Sequence, residues 1–183
     1  MLATACDALV RRGFGRPVLV GGGAVEFHTG GAVTSGDFDI VTEAQAEFET
    51  ELRALGFEKP KGRGQLIRGL IHPDLEIAVE VVGRVLFDGA VPMGRVLVVE
   101  VEAGHEVGVL LVEDLIADRL GQAVSGPRRD PRMLDQAVKL YVLARQIDEN
   151  YLDGRIRAET LGELDLKALK ELIDASYDPG PTG

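Results

Sequence analysis

Two aspartates one residue apart, Asp37 and Asp39, stand in the run S-G-D-F-D-I-V. In a β-strand, residues two apart project from the same face, so both carboxylates would lie together, roughly 7 Å apart, while Phe38 and Ile40 turn to the core behind them. Like charges so placed repel unless solvent screens them or a cation lies between. The first case is a solvated strand end. The second is a metal seat, and Mg²⁺ is the natural ion, because it takes oxygen ligands and commonly uses one or two carboxylates with water and substrate phosphate completing its shell.

Upstream, three consecutive glycines, Gly21, Gly22 and Gly23, follow the apolar run Val18-Leu19-Val20. Glycine after a strand lets backbone N–H groups approach a ligand closely, and a helix starting there adds partial positive charge, which suits phosphate. The run G-G-G-A-V-E matches neither G-x-G-x-x-G nor a Gly-Lys-Ser/Thr loop, so by itself it reads as a tight turn or as a phosphate seat. A third acid is found in L-E-I-A-V-E-V-V-G, where Glu76, Ala78 and Glu80 would share one face and Leu75, Ile77, Val79 and Val81 the other. Glu80, flanked by valines, is costly there unless paired or bound to metal. It is the candidate third ligand or general base, with Glu76 as the alternative; the bland reading is a glutamate on the solvent side of an edge strand.

The elements that must position these groups follow from the hydrophobic spacing. Leu2, Ala5, Leu9 and Val10 mark a first helix that Gly13 can end, and Pro17 to Val20 a short buried strand. Asp37 to Val41 reads as a second strand, followed by a helix with Ala44, Phe48, Leu52 and Leu55 inward, Thr42 and Gln45 as a capping box and Gly56 at its end. Gln65 to Ile71 and Leu75 to Val82 predict two more strands around the turn His72-Pro73-Asp74, and Val96 to Val101 is rich in β-formers. From about Val112 the pattern is helical. Leu115, Ile116, Leu120, Ala123 and Val124 share a face, Gly126-Pro127 breaks the run, and Asp130 with Pro131 starts another helix carrying Met133, Leu134, Ala137, Val138, Tyr141 and Ala144. A third helix is expected from about Asp165, and a frayed tail at D-P-G-P-T-G. The expected fold is α+β: a mixed-sheet core over residues 1–110 with flanking helices, and a C-terminal helical segment, 111–183, packed on it.

The chain has 183 residues, a net charge of −10 and a single cysteine, Cys6. The negative charge argues against strong general nucleic-acid binding, which phosphate contacts drive. The lone cysteine fits a reducing cytoplasm, and neither a membrane span nor a secretory leader is indicated. Arg119 to Arg145 holds six basic residues against two acids, either a phosphate-attracting face or the solvated side of two helices. His28, His72 and His105 have no metal-type spacing and are expected to be structural.

Gly-Gly after a buried strand, then Ser35-x-Asp37-x-Asp39-apolar, then a later strand with an embedded acid, resembles the nucleotidyltransferase superfamily that shares the DNA polymerase β catalytic core. The nearest likeness is to small prokaryotic members, including aminoglycoside nucleotidyltransferases and abortive-infection-type toxins. The segment V-E-D-L-I-A-D-R-L…D-P-R-M-L-D-Q-A-V-K-L-Y is similar to their helical part, so the resemblance covers about Val18 to Arg145. It implies Gly21, Gly22 and Ser35 as nucleotide-binding residues, and Asp37, Asp39 and Glu80 as Mg²⁺ ligands and catalytic residues. The donor would be an NTP, in the first place ATP, and the acceptor a hydroxyl of a small molecule, a protein or an RNA end. Two departures stand out: Gly-Gly-Gly where many relatives have Gly-Ser, and no arginine in the approach Gly30 to Thr34. The missing cation favours an alternative, a catalytically degenerate nucleotide-binding or toxin–antitoxin interaction protein, while the intact Asp-x-Asp favours the enzyme.

Overall fold

The computed structural model describes residues 1–60, 69–102 and 104–177. Among them the chain is α+β, with seven α-helices and one six-stranded mixed sheet. It divides into two compact units: Met1–Glu26 with Thr34–Leu111, and Phe27–Val33 with the residues from Val112 on.

The first unit holds the sheet. Its strands are β1 (Val18–Val20), β2 (Asp37–Val41), β3 (Leu70–His72), β4 (Ile77–Gly83), β5 (Val96–Glu102) and β6 (His105–Leu110), in the order β3-β4-β2-β1-β6-β5. The pairs β1/β6 and β2/β4 are parallel, and β1/β2, β3/β4 and β5/β6 antiparallel. Helix α1 (Leu2–Arg11) packs on β6 and on α3 (Gln45–Ala54), while α2 (Gly21–His28) leaves β1 with no intervening loop. Leu9, Leu19, Ile40, Phe48, Leu52, Leu70, Val79 and Val109 are buried.

Several expectations change in this unit. Val10 is exposed, and Ala3 and Cys6 complete the inward face of α1 instead. The capping box at Thr42 does not form: α3 starts at Gln45 with Ala44 as N-cap and no side-chain cap. Thr42 is instead held by the sheet, its N–H donating to the Gly83 carbonyl (3.0 Å) and its hydroxyl accepting the N–H of Ala44 (3.3 Å). The strand expected from Leu75 begins at Ile77, because the turn after His72 consumes Pro73 to Glu76 and leaves Leu75 exposed. Of the strand expected over Gln65 to Ile71, Leu70 and Ile71 belong to β3; residues 65–68 lie outside the described residues, as does the tail D-P-G-P-T-G. Strand β6 was not foreseen because Gly108 interrupts its pattern. That glycine lies where β6 meets β1, and a Cβ on it would stand 2.9 Å from the Pro17 carbonyl oxygen.

The second unit is helical: α4 (Val112–Val124), α5 (Pro131–Leu143), α6 (Glu149–Glu159) and α7 (Leu166–Tyr177). Helix α4 packs on α5 and α6, and α7 on the same two. Leu115, Ile116, Leu120, Leu140, Leu152, Ile156 and Leu169 are buried. The Asp130 carboxylate caps α5 by accepting the N–H of Arg132 (2.9 Å), with Pro131 in the first turn. The polar helix α6, unmarked by hydrophobic spacing, is started by Asp148, whose side chain accepts the N–H of Tyr151 (3.0 Å). The segment from Arg119 to Arg145 does not present its cations on one open face. Arg119 is buried, bonded to Asp118 (2.6 Å), and Lys139 pairs with Asp135 (2.8 Å), while Arg128, Arg129, Arg132 and Arg145 are exposed. No helix among the described residues is long and apolar enough to cross a membrane.

Candidate active site

The register of the sheet gathers the acids. Asp39 lies opposite Val20 across the antiparallel β1/β2 pair and opposite Glu80 across the parallel β2/β4 pair, and Asp37 lies opposite Ala78. Residues opposite one another share a face, and neighbouring strands run about 4.8 Å apart. Asp37, Asp39 and Glu80 therefore issue from one face, with Phe38, Ile40 and Val79 on the other. Asp37 is exposed, and Asp39 and Glu80 are half-buried. Two unit charges about 6 Å apart repel by about 0.7 kcal/mol in water and about 3 kcal/mol at the effective dielectric of a protein surface. Glu76 does not join the group. It sits in the turn before β4 with φ +53°, a left-handed conformation that no strand residue adopts.

The glycines are placed by contact with this face. Gly21, the first residue of α2, has φ +60°, and a Cβ on it would stand 2.0 Å from Asp39 Oδ2. A Cβ on Gly22 would stand 2.5 Å from the Ser35 hydroxyl oxygen. The first turn of α2 thus lies bare against Asp39 and Ser35. The first N–H groups of a helix have no carbonyl partner within it, so the turn that touches the acids also carries donors and the positive end of the helix dipole. Ser35 donates its hydroxyl to the Asp37 carbonyl oxygen (2.9 Å) and lies 3.4 Å from Asp37 Oδ1. Gly21, Gly22, Ser35, Asp37, Asp39 and Glu80 form one locality at the junction of β1, β2 and β4 with α2.

One residue of this locality escaped the sequence reading. Glu26, the only acid on α2, accepts the N–H of Ser35 (2.8 Å). The signal available was its isolation in the otherwise small and apolar G-G-G-A-V-E-F. The histidines are placed elsewhere: His105 Nδ1 bonds to Asp7 (3.0 Å), His72 packs edge-on to Phe57, and His28 edge-on to Phe27.

Among the described residues, no three Asp, Glu, His or Cys side chains converge into a group that could hold a metal ion. The donors on this face are carboxylate oxygens, the ligand type that suits a hard cation held by one or two carboxylates and completed by substrate.

No family model matches the chain, and no curated protein matches it. Solved structures do. The chain is similar to an antigenic nucleotidyltransferase-like protein from Paracoccidioides brasiliensis, at TM-score 0.59 and 14% identity, over 95% of this chain and 90% of that one. It is also similar to ANT(2")-Ia in complex with adenylyl-2"-tobramycin, at TM-score 0.51 and 19% identity, over 86% of this chain and 92% of that one. The chain shares the fold of these two structures.

Proposed function

We propose that this chain is a nucleotidyltransferase that moves an NMP from an NTP to an acceptor hydroxyl. The observation that carries the reading is the bare first turn of α2 set against Asp39 and Ser35, which brings a phosphate seat and an acid seat into one locality. The N–H groups at Gly21 and Gly22 bind the triphosphate, joined by the Ser35 hydroxyl when it turns its one proton from the Asp37 carbonyl to a phosphate oxygen. Asp37, Asp39 and Glu80 are the residues that would hold a divalent cation, Mg²⁺ by their oxygen chemistry; when bound it supplies neutralisation of phosphate charge and activation of the acceptor. Glu80 alternatively serves as general base, taking the proton of the acceptor hydroxyl as its oxygen attacks the α-phosphorus and pyrophosphate leaves.

The ANT(2")-Ia complex with adenylyl-2"-tobramycin supports ATP as the donor and a small molecule's hydroxyl as the first acceptor to examine, ahead of a protein or an RNA end. The lone buried Cys6 suits work in a reducing cytoplasm. The approach Gly30 to Thr34, which lacks an arginine, favours a second reading: a chain of this fold that binds nucleotide without turnover, alone or within a toxin–antitoxin pair.

The test is label transfer from α-labelled ATP and release of pyrophosphate in Mg²⁺, with an aminoglycoside, the chain itself and short RNAs as acceptors. Transfer by the wild type and its loss in Asp39→Asn support the enzyme. ATP-dependent stabilisation without labelling of any acceptor supports the binding protein. Absence of both sinks the nucleotide reading altogether.

A further inference from the structure

We infer that Glu26 is a positioning residue for this site: it fixes Ser35, and through Ser35 the hydroxyl beside the Gly22 turn and the start of the Asp-x-Asp strand. The inference rests on the nucleotide reading above. Residues four apart on a helix share a face, so Gly22 and Glu26 meet the same neighbour. Gly22 lets the Ser35 hydroxyl come within 2.5 Å of where its Cβ would be, and Glu26 Oε2 accepts the Ser35 N–H at 2.8 Å. Ser35 is therefore held at its backbone by one residue of α2 and admitted at its side chain by another. Its hydroxyl passes the constraint on, donating to the Asp37 carbonyl oxygen at 2.9 Å.

The connection between Glu26 and Ser35 explains why a tether is needed. Here the chain leaves the sheet unit after Glu26 and re-enters it at Thr34. Gly30 and Gly31 have φ of +59° and +85°, and Cβ atoms on Gly30, Gly31 and Gly36 would meet nothing within 4 Å. The turn itself is pinned by the Gly30 N–H to the Phe27 carbonyl (3.2 Å), the Ala32 N–H to the Thr29 carbonyl (3.2 Å) and the Val33 N–H to the Thr29 hydroxyl (3.2 Å), so the backbone freedom left to fix lies at the re-entry, Thr34 to Gly36. The Glu26 to Ser35 bond closes that excursion where it returns to the site. A carboxylate beside a triphosphate seat is otherwise unfavourable, since it adds like charge. Toward Ser35 the carboxylate acts through its acceptor oxygen, and a glutamine can supply the same acceptor to that N–H.

The experiment compares Glu26→Gln with Glu26→Leu, and with Glu26→Ala as a second truncation should the leucine variant fail to fold. In ligand-free protein, hydrogen exchange at the Ser35 amide is expected to stay slow in the glutamine variant and to quicken by about 10-fold or more in the truncations. By calorimetry with ATP and Mg²⁺, the truncations are expected to bind about 10-fold more weakly or worse, as loss of a charged-acceptor hydrogen bond implies, and the glutamine variant as well as wild type or better. In transfer assays KM rises in the truncations while kcat changes less. Unchanged Ser35 protection and ATP affinity in the truncations would overturn the inference, as would a glutamine variant as impaired as the truncations. Failure of the nucleotide reading itself appears in the wild type, as absence of ATP binding, and is thus distinguishable from failure of the tether.

Discussion

Asp39 in the sheet unit and Asp114 in the helical unit are both withdrawn from solvent to different degrees, and they stand in different company. Asp114, fully buried on α4, accepts the Tyr151 hydroxyl (2.7 Å) and Arg155 Nε (2.8 Å), and the same guanidinium reaches Glu159 (2.7 Å). Its charge is matched by a cation and a hydroxyl supplied from α6. Asp39 is set by backbone register among further acids, with a glycine bared against it, and neither Asp37 nor Glu80 carries an ion pair among the described residues. A buried acid that serves the fold has its partner built in. Acids gathered on one face at the cost of repulsion suit the role proposed above for Asp37, Asp39 and Glu80, the holding of a cation beside substrate phosphate.

The largest effects follow from removing each charge. Asp39→Asn is expected to lower the proposed nucleotidyl transfer by about 10³-fold, the loss of several kcal/mol of transition-state stabilisation, and to shift the urea midpoint far less than removal of Asp114 does. Asp114→Ala should cost about 3–5 kcal/mol of stability, because it removes the buried carboxylate to which Arg155 Nε and the Tyr151 hydroxyl donate. Urea denaturation of both variants beside label transfer checks the contrast. It breaks if Asp39→Asn unfolds the chain, or if Asp114→Ala leaves the urea midpoint unchanged.

A smaller pair of effects sets one glycine against another. Gly21→Ala puts a methyl 2.0 Å from Asp39 Oδ2 at a residue with φ +60°, so Asp39 must move and the backbone is strained. A cost of about 1–3 kcal/mol is expected, with transfer lost as Asp39 is displaced. Gly154, inside α6, has nothing within 4 Å of its Cβ position. Gly154→Ala is expected to stabilise by about 1 kcal/mol, as alanine does in a helix interior, raising the urea midpoint. Equal effects of the two substitutions would remove the distinction between a glycine bared for contact and one that is merely tolerated.

How much of this was legible in the sequence depends on where each residue's partner lies. The Asp-x-Asp face was readable because a strand's period of two is local. The choice between Glu76 and Glu80 turned on the length of the turn after His72, where Pro73 to Glu76 consume a position that spacing alone assigned to the strand. Glu26 was not readable as a functional residue, since its partner is a backbone N–H nine residues on, across a glycine-rich excursion. Arg155 and Asp114 stand 41 residues apart, on helices of which one has too polar a face and a central glycine to announce itself. Patterns of period two or 3.6 encode faces; bonds between distant elements leave no such periodic trace.

The smallest effect separates pairing from location. Asp7, on α1 of the same unit as Asp39, is a paired acid: it accepts Arg16 NH1 (2.7 Å), His105 Nδ1 (3.0 Å) and the Glu106 N–H (3.4 Å), and Arg16 also holds the Glu106 carboxylate (2.8 Å). Burial alone would push its carboxyl up, but the bonds from Arg16 and His105 outweigh that and hold it below the ordinary 3.8. A carboxyl lowered in the folded state binds fewer protons there than in the unfolded chain. Its contribution to stability is therefore complete above about pH 3.8 and is lost as pH falls through the folded value. The excess stability of wild type over Asp7→Asn should accordingly be constant from pH 7 to pH 5 and shrink below about pH 4, read as the difference between urea midpoints across that range. A gap that closes in acid assigns this behaviour to the partner each acid has rather than to the unit it occupies. A gap that does not close would mean that Arg16 and His105 leave the Asp7 carboxyl near its ordinary value, and the division between paired and gathered acids would then fail inside the sheet unit itself.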